Sequence, residues 1–461
     1  MRNSILLAAA LAVVGCTKEE AKTPPPEPAK PAAPPARSGK VTLLITGHEV
    51  GQLVAKAPRL ITQWKQEDGW PNTLAFSTGD TFSGAALSSR FDGKSTAEVM
   101  KALQYKASAF GNHDLDLGPD VFDGFRKESG LQILAANLRD KADSEKPLKL
   151  APAKIFTREK VKVGVIGFTS SKTITTVVAG RAAGLELVPL EEAFPAALEM
   201  VAAEKPDVTI ALIDDCFTVL QPFADGKVDL VVGTRCEGEQ ELAGSKTQYF
   251  SVGDELTHYV SAQFSLGADG TRALIARRKD VSTTADEDKD LLAVRDRWQK
   301  ELDAQLGEVL GFTKTGYPAD AVQLRTLVAT ALRDQTQADA ALINKKGIRA
   351  PLPAGNITRE SIYTLMPFEN AVLTAKVKGE VLQKLKSHPE AFVLAPAKLE
   401  PEKDYVLATT EYIYFGGDGL GLEVVAPDPE LNGMVWQTPV IEWLRKQNTT
   451  DKAPLEKLIK K

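Results

Sequence analysis

The sequence predicts an α/β body followed by a separate α+β unit, and three observations lead to this fold class. From residue 41 onward, short apolar runs typical of β-strands alternate with stretches of helical spacing, which indicates a sheet covered by helices. Each apolar run ends in a polar loop, and ligand sites in such folds gather beyond the strand ends. A charged amphipathic segment over residues 284–308 then separates this alternation from a second unit.

The predicted elements of the body follow one another in a regular order. The run "VTLLIT" predicts the first strand, and "QLVAKAPRLITQWKQ" has the spacing of a helix. A strand in "TLAFSTGD", a helix in "STAEVMKALQYK" and a strand with its loop in "ASAFGNHD" come next. Further strands are predicted in "KVGVIGFTS", "DVTIALIDD" and "VDLVVGTRC", and residues 245–280 alternate like a β ribbon.

The domain boundaries follow from these changes of pattern. We assign residues 41–283 to the body, residues 284–310 to a linker helix and residues 311–461 to the second unit. The linker helix opens with acidic residues, which suit the positive end of a helix dipole. A chain of 461 residues is long enough for two or three domains.

A targeting segment precedes the body. The apolar stretch "ILLAAALAVVGC" is too short to span a membrane and ends like a bacterial lipobox, in which Cys16 is lipidated. The alternative is an ordinary signal peptide with a chance cysteine. We interpret residues 1–16 as a lipoprotein signal peptide and the Pro-rich residues 17–40 as an extended tether. The body is then expected in the cell envelope, in the periplasm or at the cell surface, anchored to a bacterial membrane through the lipid.

Composition excludes few classes of protein. The formal net charge of −5 and the lack of a basic run argue against a surface that binds nucleic acid. An apolar fraction of 43% and a charged fraction of 25% are ordinary for a globular protein. The sequence leaves the oligomeric state open.

The stretch "AFGNHDLDLG" carries the first chemical signal. A Gly-Asn-His-Asp loop after a strand is typical of two-metal phosphoesterases, in which Asn binds a metal and His protonates the leaving group. Such a site needs several further histidines. This chain has only four, at positions 48, 113, 258 and 388.

The order of these loops, together with two C-terminal stretches, resembles the bacterial 5'-nucleotidase family of periplasmic nucleotidases and UDP-sugar hydrolases. The stretches are "NKKGIRAPLPAGNITRESIYTLMPFENAVLTAKVKGEVL" and "TTEYIYFGGDGLG", and the resemblance covers about residues 40–430. It implies a metallophosphoesterase-type sheet sandwich covered by helices, which holds two divalent metals such as zinc or manganese. It also implies a C-terminal nucleoside-binding domain, with metal-dependent hydrolysis of nucleotide phosphoesters in the cleft between them.

The resemblance assigns part of the catalytic machinery to residues that this chain retains. The bridging metal ligand is Asp80 and the amide ligand is Asn112. The catalytic histidine is His113, and Asp116 orients it. Without metals, the last three of these residues would persist as a hydrogen-bonded brace of the loop, and this alternative stays open.

The remaining metal ligands of the family are replaced. His48, Asp214 and Glu237 stand at three of these places and can themselves coordinate a metal. Val50 offers no donor, and Arg235 brings a permanent positive charge to a place where the family has a metal-binding histidine. Arg235 can instead pair with the carboxylates of the site or stand in for a metal beside a phosphate. We therefore expect the metals to be absent or reduced to one.

The nucleoside pocket departs less from the family pattern. By resemblance, two aromatic side chains sandwich the base, a carboxylate binds the ribose hydroxyls, and an Asn and an Arg five residues apart bind substrate. The corresponding residues, with a further base-contacting Asn, are Phe368, Tyr412, Asp418, Asn344, Arg349 and Asn370. A family arginine is replaced by Asp320, which should weaken phosphate binding. The alternative is that the aromatics are core residues and "GGDG" is a simple turn.

Three further residues are assigned by their neighbours. Glu49, next to His48, is expected on a surface turn, with an adventitious metal ligand as the alternative. Cys216 and Cys236 follow loops that converge in the family, so the two cysteines should be neighbours. A disulfide, two buried thiols and a thiolate pair on zinc all remain open for them.

The leading functional hypothesis is a catalytically impaired pseudoenzyme of this family in the cell envelope. It would bind a nucleoside- or nucleotide-like small molecule, or act as an interaction module. The alternative hypothesis is an active phosphohydrolase with a rearranged, single-metal site. Whether the chain is an enzyme depends on where the side chain of Arg235 points.

Overall fold

Most strands of residues 39–280 form two six-stranded β-sheets that pack face to face, and a short strand pair forms a third, separate sheet. The computed structural model describes residues 38–144, 147–177, 181–242 and 246–459. The expected signal peptide with Cys16, and the tether as far as residue 37, lie outside these ranges. The strands of this part are β1 (Gly39–Thr46), β2 (Thr73–Ser77), β3 (Tyr105–Ala109), β4 (Gln132–Leu134), β5 (Leu138–Asp140), β6 (Ala153–Arg158), β7 (Val161–Thr169), β8 (Leu185–Leu187), β9 (Val208–Asp214), β10 (Leu230–Gly233), β11 (Glu241–Leu242), β12 (Gln248–Ser251), β13 (His258–Leu266) and β14 (Arg272–Asp280).

Both sheets are covered by helices on their outer faces. Within the described residues, the strand order of one sheet is β14-β13-β1-β2-β3-β4, and that of the other is β11-β12-β10-β9-β7-β6. Along β1, Val41, Leu43 and Ile45 face the core between the sheets, whereas Leu44 faces the helices. Burial of both faces is typical of parallel strands. The helices of this part are α1 (Leu53–Trp64), α2 (Ala86–Ser89), α3 (Lys94–Ala102), α4 (Pro119–Ser129), α5 (Leu190–Ala203) and α6 (Gln221–Ala224).

The predicted ribbon over residues 245–280 is divided between the two sheets. β13 and β14 form an antiparallel hairpin in the first sheet, but β12 joins the second sheet and runs parallel to β10. The turn between β12 and β13 carries the chain across, and Gly253 in this turn has a left-handed φ of 78°.

The C-terminal part contains its own mixed sheet. In the described residues its strand order is β19-β16-β20-β18-β21, and β15 and β17 pair separately. The elements of this part are α7 (Lys289–Leu306), β15 (Val309–Thr313), α8 (Val322–Thr336), β16 (Ala340–Asn344), β17 (Gly355–Thr358), α9 (Arg359–Leu365), β18 (Ala371–Lys378), α10 (Gly379–Lys386), β19 (Ala391–Leu394), β20 (Asp404–Thr410), α11 (Glu411–Tyr414), β21 (Glu430–Val435) and α12 (Gln437–Gln447). This architecture confirms the predicted fold class.

Helix α7 packs on both parts of the chain. Asp288 caps its first turn by accepting the backbone N–H groups of Asp290 and Leu291. Leu291, Leu302 and Leu306 are buried in a hydrophobic core that includes residues of α1 and of α8. The described residues from 38 to 459 accordingly form one compact unit. Among the described residues, no helix combines the length and the apolar character needed to cross a bilayer.

Candidate functional site

The loops that carry the predicted site residues leave the carboxyl ends of parallel strands. β1, β2 and β3 run parallel in the first sheet, and β9, β10 and β12 run parallel in the second. Since the sheets pack face to face, the polar loops after these strands meet at one edge of the sandwich.

Asp80, after β2, lies at the centre of this cluster and is fully buried. Its Oδ2 lies 2.8 Å from His48 Nδ1, and its Oδ1 accepts the backbone N–H of His113 at 2.8 Å. Burial disfavours the charged form of this carboxyl, but the charges of His113, His48 and Arg235 outweigh burial and lower its pKa below the usual range. Asp80 is therefore held as a carboxylate.

Arg235, after β10, points into the cluster. Its Nη2 donates to Asp214 Oδ1 at 3.2 Å, and its Nη1 lies 3.8 Å from Asp80 Oδ2. Asp214 is fully buried, and burial together with the charge of Asp80 raises its pKa, while the guanidinium acts in the opposite direction. The permanent cation of Arg235 thus lies between two carboxyl groups, Asp80 with a lowered pKa and Asp214 with a raised pKa.

Three of the predicted metal ligands come close together. His48, Asp80 and Asp214 each offer a donor atom, and these atoms all lie within 4.8 Å of one another. Asp214 Oδ2 is buried and has no hydrogen-bond partner among the described residues. The buried Val50 offers no donor beside this group, and the guanidinium of Arg235 brings a permanent positive charge to within 3.2 Å of Asp214.

The other two predicted ligands lie in different surroundings. Asn112 is buried and lines the cavity described below. Glu237 is exposed and does not belong to the group of close donors, so its prediction as a ligand is corrected. The chain turns outward after Arg235, which leaves the Glu237 carboxylate in solvent.

Asp254 belongs to the site although its sequence position was not singled out. Its Oδ1 lies 2.8 Å from His48 Nε2, so both nitrogens of the His48 ring face carboxylates. Asp254 follows β12, the strand that we had placed in a ribbon rather than in the parallel sheet. A polar residue after a parallel strand was the signal that could have identified it.

The backbone of the site loops is left-handed at several residues that carry a Cβ atom. The φ angles of His48, Val50, Asp80 and Arg235 are 45°, 40°, 55° and 50°. Such angles are disfavoured for residues with a Cβ atom, and most strongly for a β-branched residue such as Val50. Strained backbone of this kind clusters at functional sites, which supports an origin of these loops in ligand binding.

Glu49 is fully buried, so its expected position on a surface turn is wrong. Its Oε1 lies 2.5 Å from Thr46 Oγ1, its Oε2 accepts from Ser77 Oγ at 2.8 Å, and Thr46 Oγ1 lies 2.6 Å from the Tyr105 hydroxyl. These partners come from three neighbouring strands and hold the side chain inside. Burial raises the pKa of Glu49 to about 8, although the hydrogen bonds from Thr46 and Ser77 oppose the shift.

The substitution Glu49→Gln should stabilise the protein at pH 8 but not at pH 5. The pKa of Glu49 is about 8 in the folded protein and ordinarily 4.5, so the folded protein keeps this proton at pH values at which the unfolded chain has lost it. Stability therefore falls as pH rises between these values, and glutamine removes the fall. We expect a gain of at least roughly 1.4 kcal/mol at the higher pH in urea denaturation. The exposed control Glu237→Gln should change neither value, and an equal effect of Glu49→Gln at both pH values would contradict the interpretation.

His113 is held by an acid and by an aromatic ring. Its Nδ1 lies 2.7 Å from Asp116 Oδ2, which also accepts from Ser83 Oγ at 2.8 Å. The imidazole stacks on Phe368, with ring centroids 5.3 Å apart and planes 8° from parallel. Burial lowers the pKa of His113, but the charges of Asp116 and Asp80 outweigh this effect and raise it. The predicted orienting contact of Asp116 is present in this geometry.

A cavity of about 260 Å³ joins this loop to the C-terminal part. The predicted residues that line it are Asn112, His113, Asp116, Asn344, Arg349, Phe368, Asn370, Tyr412 and Asp418. Arg235 lines it as well, whereas the acids behind Arg235 do not. Phe368 and Tyr412 are both half-buried, so they are wall residues of the cavity rather than core aromatics.

Hydrogen bonds fix the walls of this cavity. Asp418 accepts from the side-chain amide of Asn344 at 2.7 Å and from the Tyr412 hydroxyl at 3.3 Å. The backbone N–H of Asn370 donates to Phe368 O at 2.9 Å, and Trp436 donates to the same carbonyl through its indole N–H at 2.5 Å. The aromatic wall is thus positioned before any ligand arrives.

Two contacts tie the walls together across the cavity. One is the stack of His113 on Phe368, and the other is the ion pair of Arg90 with Glu369. The guanidinium of Arg90 also lies over the Tyr363 ring, 4.9 Å from its centroid. Nothing in the sequence pattern singled out Arg90, because it lies in a short surface turn far from any recognisable stretch.

Cys216 and Cys236 form a disulfide with their Cα atoms 4.6 Å apart. The bond joins the end of β9 to the loop after β10, on the two sides of the contact between Asp214 and Arg235. Of the three possibilities that the sequence left open, this structure contains the covalent pair.

Comparison with known proteins gives consistent matches along most of the chain. Residues 308–388 match the model of the 5'-nucleotidase C-terminal domain. Protein UshA of Yersinia enterocolitica serotype O:8 is 23% identical over 467 residues, which cover 82% of this chain and 84% of that protein. The 5'-nucleotidase of Vibrio cholerae serotype O1 is 23% identical over 367 residues, or 67% of this chain and 66% of that protein.

A solved structure shares the fold over nearly the whole chain. The 5'-nucleotidase precursor from Thermus thermophilus superimposes with a TM-score of 0.74, covering 89% of this chain and 97% of that one. The sequence identity of 19% in this superposition supports the fold, and the chemistry of the site has to be judged from its own residues.

Proposed function

Because the chain belongs to the 5'-nucleotidase family, we propose that it binds a nucleoside- or nucleotide-like small molecule in the cavity between its two parts, without two-metal hydrolysis. The walls supply what such a ligand needs: an aromatic pair, a carboxylate and amide groups. Phe368 and Tyr412 offer faces for a base, and Asp418 offers acceptors for hydroxyl groups.

The observation that carries this proposal is the position of Arg235. Its guanidinium lies 3.2 Å from Asp214 and 3.8 Å from Asp80, the two carboxyls on which a metal would depend. Two unit charges about 4 Å apart repel by roughly 4 kcal/mol at an effective dielectric constant near 20, and a dication doubles this repulsion. Arginine cannot lose its proton to relieve the conflict. The cation therefore pairs with the carboxyls that metals would otherwise hold, although Asp214 Oδ2 keeps no partner among the described residues.

A second candidate function is hydrolysis with a single metal. The close approach of donor atoms from His48, Asp80 and Asp214 favours it. It requires Arg235 to leave the cluster, and this side chain borders the cavity with 33% of its surface exposed. Metal content therefore discriminates between the two candidates.

Nucleosides should bind to this protein in the presence of EDTA, and Tyr412→Ala should weaken that binding. Stacking of a base on an aromatic ring contributes about 1–3 kcal/mol, which corresponds to roughly a tenfold to hundredfold loss of affinity. Isothermal titration calorimetry with adenosine and uridine measures it. A matched control is Phe415→Ala, which removes an aromatic ring that is 47% exposed and does not line the cavity. Absence of both heat and a melting shift at millimolar nucleoside would refute the proposed function.

A further inference from the structure

A second groove, of about 390 Å³, lies at the edge of the sandwich opposite the cavity. The strands β9, β10 and β12 run parallel, and the site loops follow their carboxyl ends. A lysine precedes the amino end of each strand: Lys205 before β9, Lys227 before β10 and Lys246 before β12. Because neighbouring parallel strands begin at the same edge of a sheet, the three lysines come together there and line the groove.

The positive charge of this groove is only partly balanced. Arg272, at the start of β14, also lines it and donates through Nη2 to both oxygens of Asp229, at 2.9 and 3.0 Å. Asp229 is the only acid among the described residues that line the groove, and its Oδ2 also accepts the backbone N–H of Thr209 at 2.8 Å. The three lysines are exposed, and none of them forms an ion pair within the described part of the chain.

The acids nearest along the chain do not line the groove. They are Glu204, Asp207 and Asp225. The Oδ2 of Asp207 accepts the backbone N–H of Lys162 at 2.7 Å, and the Lys162 ammonium donates to the carbonyl oxygen of Glu204 at 3.1 Å. A concentration of unpaired lysines thus stands out on a chain whose formal net charge is −5.

The described chain enters the body at this same edge. The strand β1 begins at Gly39, and its carboxyl end leads to His48 at the edge that carries the site. A Cβ atom at Gly39 would clash with the backbone carbonyl of Glu159 and with Val161, so Gly39 packs closely on the turn before β7. β7 pairs with β9, the strand that Lys205 precedes. The segment expected to carry a lipid at Cys16 therefore joins the body beside the groove.

We propose that the groove lined by Lys205, Lys227 and Lys246 binds the phosphate groups of anionic phospholipids, so that the body lies on the bilayer with its cavity facing away. A lysine near an anionic membrane strengthens binding by roughly fivefold, so three lysines contribute roughly a hundredfold. β9 has seven residues and spans about 20 Å between the two edges, which leaves the cavity open to solvent. The proposal does not depend on what the cavity binds.

Lysine footprinting of the full-length protein on vesicles tests this proposal. Acetylation of each lysine, read by mass spectrometry, is compared between vesicles of phosphatidylcholine alone and vesicles that also contain phosphatidylglycerol. The three groove lysines should react at least about fivefold more slowly on the anionic vesicles, and high salt should abolish this protection. Lys346, which lines the cavity at the opposite edge, is the internal control and should react equally on both.

A charge-reversal variant measures the binding itself. Cys16→Ser removes the expected lipid anchor, and sedimentation with anionic vesicles then gives an affinity. In this background, replacing all three groove lysines with glutamate should weaken binding by at least roughly a hundredfold. The matched control reverses three exposed lysines of the C-terminal part, Lys384→Glu, Lys386→Glu and Lys403→Glu, and should retain the affinity. Residues 1–15 are the same in every variant, so a difference between the variants reports on the reversed charges.

Each result decides for or against the groove. Equal acetylation on both kinds of vesicle, or unchanged sedimentation of the groove variant, would overturn the proposal. An equal loss of binding in the control variant would show a general effect of charge, and the assignment to the groove would fail. If millimolar inorganic phosphate protects the three lysines as strongly as the anionic vesicles do, the groove is a site for a free anion and the assignment to lipid fails.

Discussion

Incubated with excess Mn²⁺ or Zn²⁺ and then desalted, the purified protein should retain less than one equivalent of metal and should not hydrolyse 5'-AMP or UDP-glucose. Two-metal hydrolysis needs both ions to activate water and to stabilise the charge of the transition state. Here Val50 supplies no donor and Arg235 lies against Asp214 and Asp80. Since enzymes accelerate such reactions by roughly a millionfold or more, loss of the metals should leave no measurable turnover.

Elemental analysis and a phosphate-release assay measure both parts of this expectation. Arg235→Ala is the informative variant, because it removes the competing cation and leaves His48, Asp80 and Asp214 in place. It should retain more metal than the wild type, up to one equivalent. Stoichiometric two-metal content in the wild type, with turnover that disappears in Asp80→Ala and His113→Ala, would falsify the proposal and establish an enzyme.

Replacing Asp80 with alanine should destabilise the protein by about 3 kcal/mol, the lower end of the range for breaking a buried charge pair. The substitution leaves the backbone N–H of His113 without its acceptor and removes the anion between His48 and Arg235. Ionisation of Asp214 offsets part of the loss, because the charge of Asp80 is one of the causes that keep the pKa of Asp214 high.

Urea denaturation at neutral pH measures this loss. Asp80→Asn should be milder, since its side-chain oxygen can still accept the N–H of His113. Asp286→Ala, at an exposed position, is the control and should lie within about 0.5 kcal/mol of the wild type. Equal stability of Asp80→Ala and the wild type would show that the buried cluster is not held together by this carboxylate.

The fold and the central cluster were accessible to sequence reasoning because their signals are local. Apolar runs end where the chain reaches the edge of a sheet, so His48, Asp80, Asp214 and Arg235 could be placed together before any coordinates. The fold class rested on the same alternation. The chemistry of these side chains depends on their charges and donor atoms, and both can be read from the residue types in the sequence.

The residues that were missed depend on contacts between distant strands. Asp254 was overlooked because β12 has the alternation of a ribbon but pairs with β10. Glu49 follows a strand as a turn residue would, but its carboxyl is buried because Thr46 and Ser77 donate hydrogen bonds to it. Thr46 in turn contacts the Tyr105 hydroxyl. Glu237 has the right spacing after Arg235, yet the direction of the chain there takes it into solvent.

The disulfide affects the competition between Arg235 and a metal ion from solution for the carboxyls of this site. Cys216 lies two residues after Asp214, and Cys236 directly follows Arg235, with a covalent bond between the two cysteines. The guanidinium and its carboxyl partner are therefore tethered, and a tethered group acts at an effective concentration of at least roughly millimolar. After a local opening separates the pair, we expect Arg235 to return ahead of an ion present at trace levels. The exclusion of metal that we propose would thus be a property of the linkage as well as of the charge.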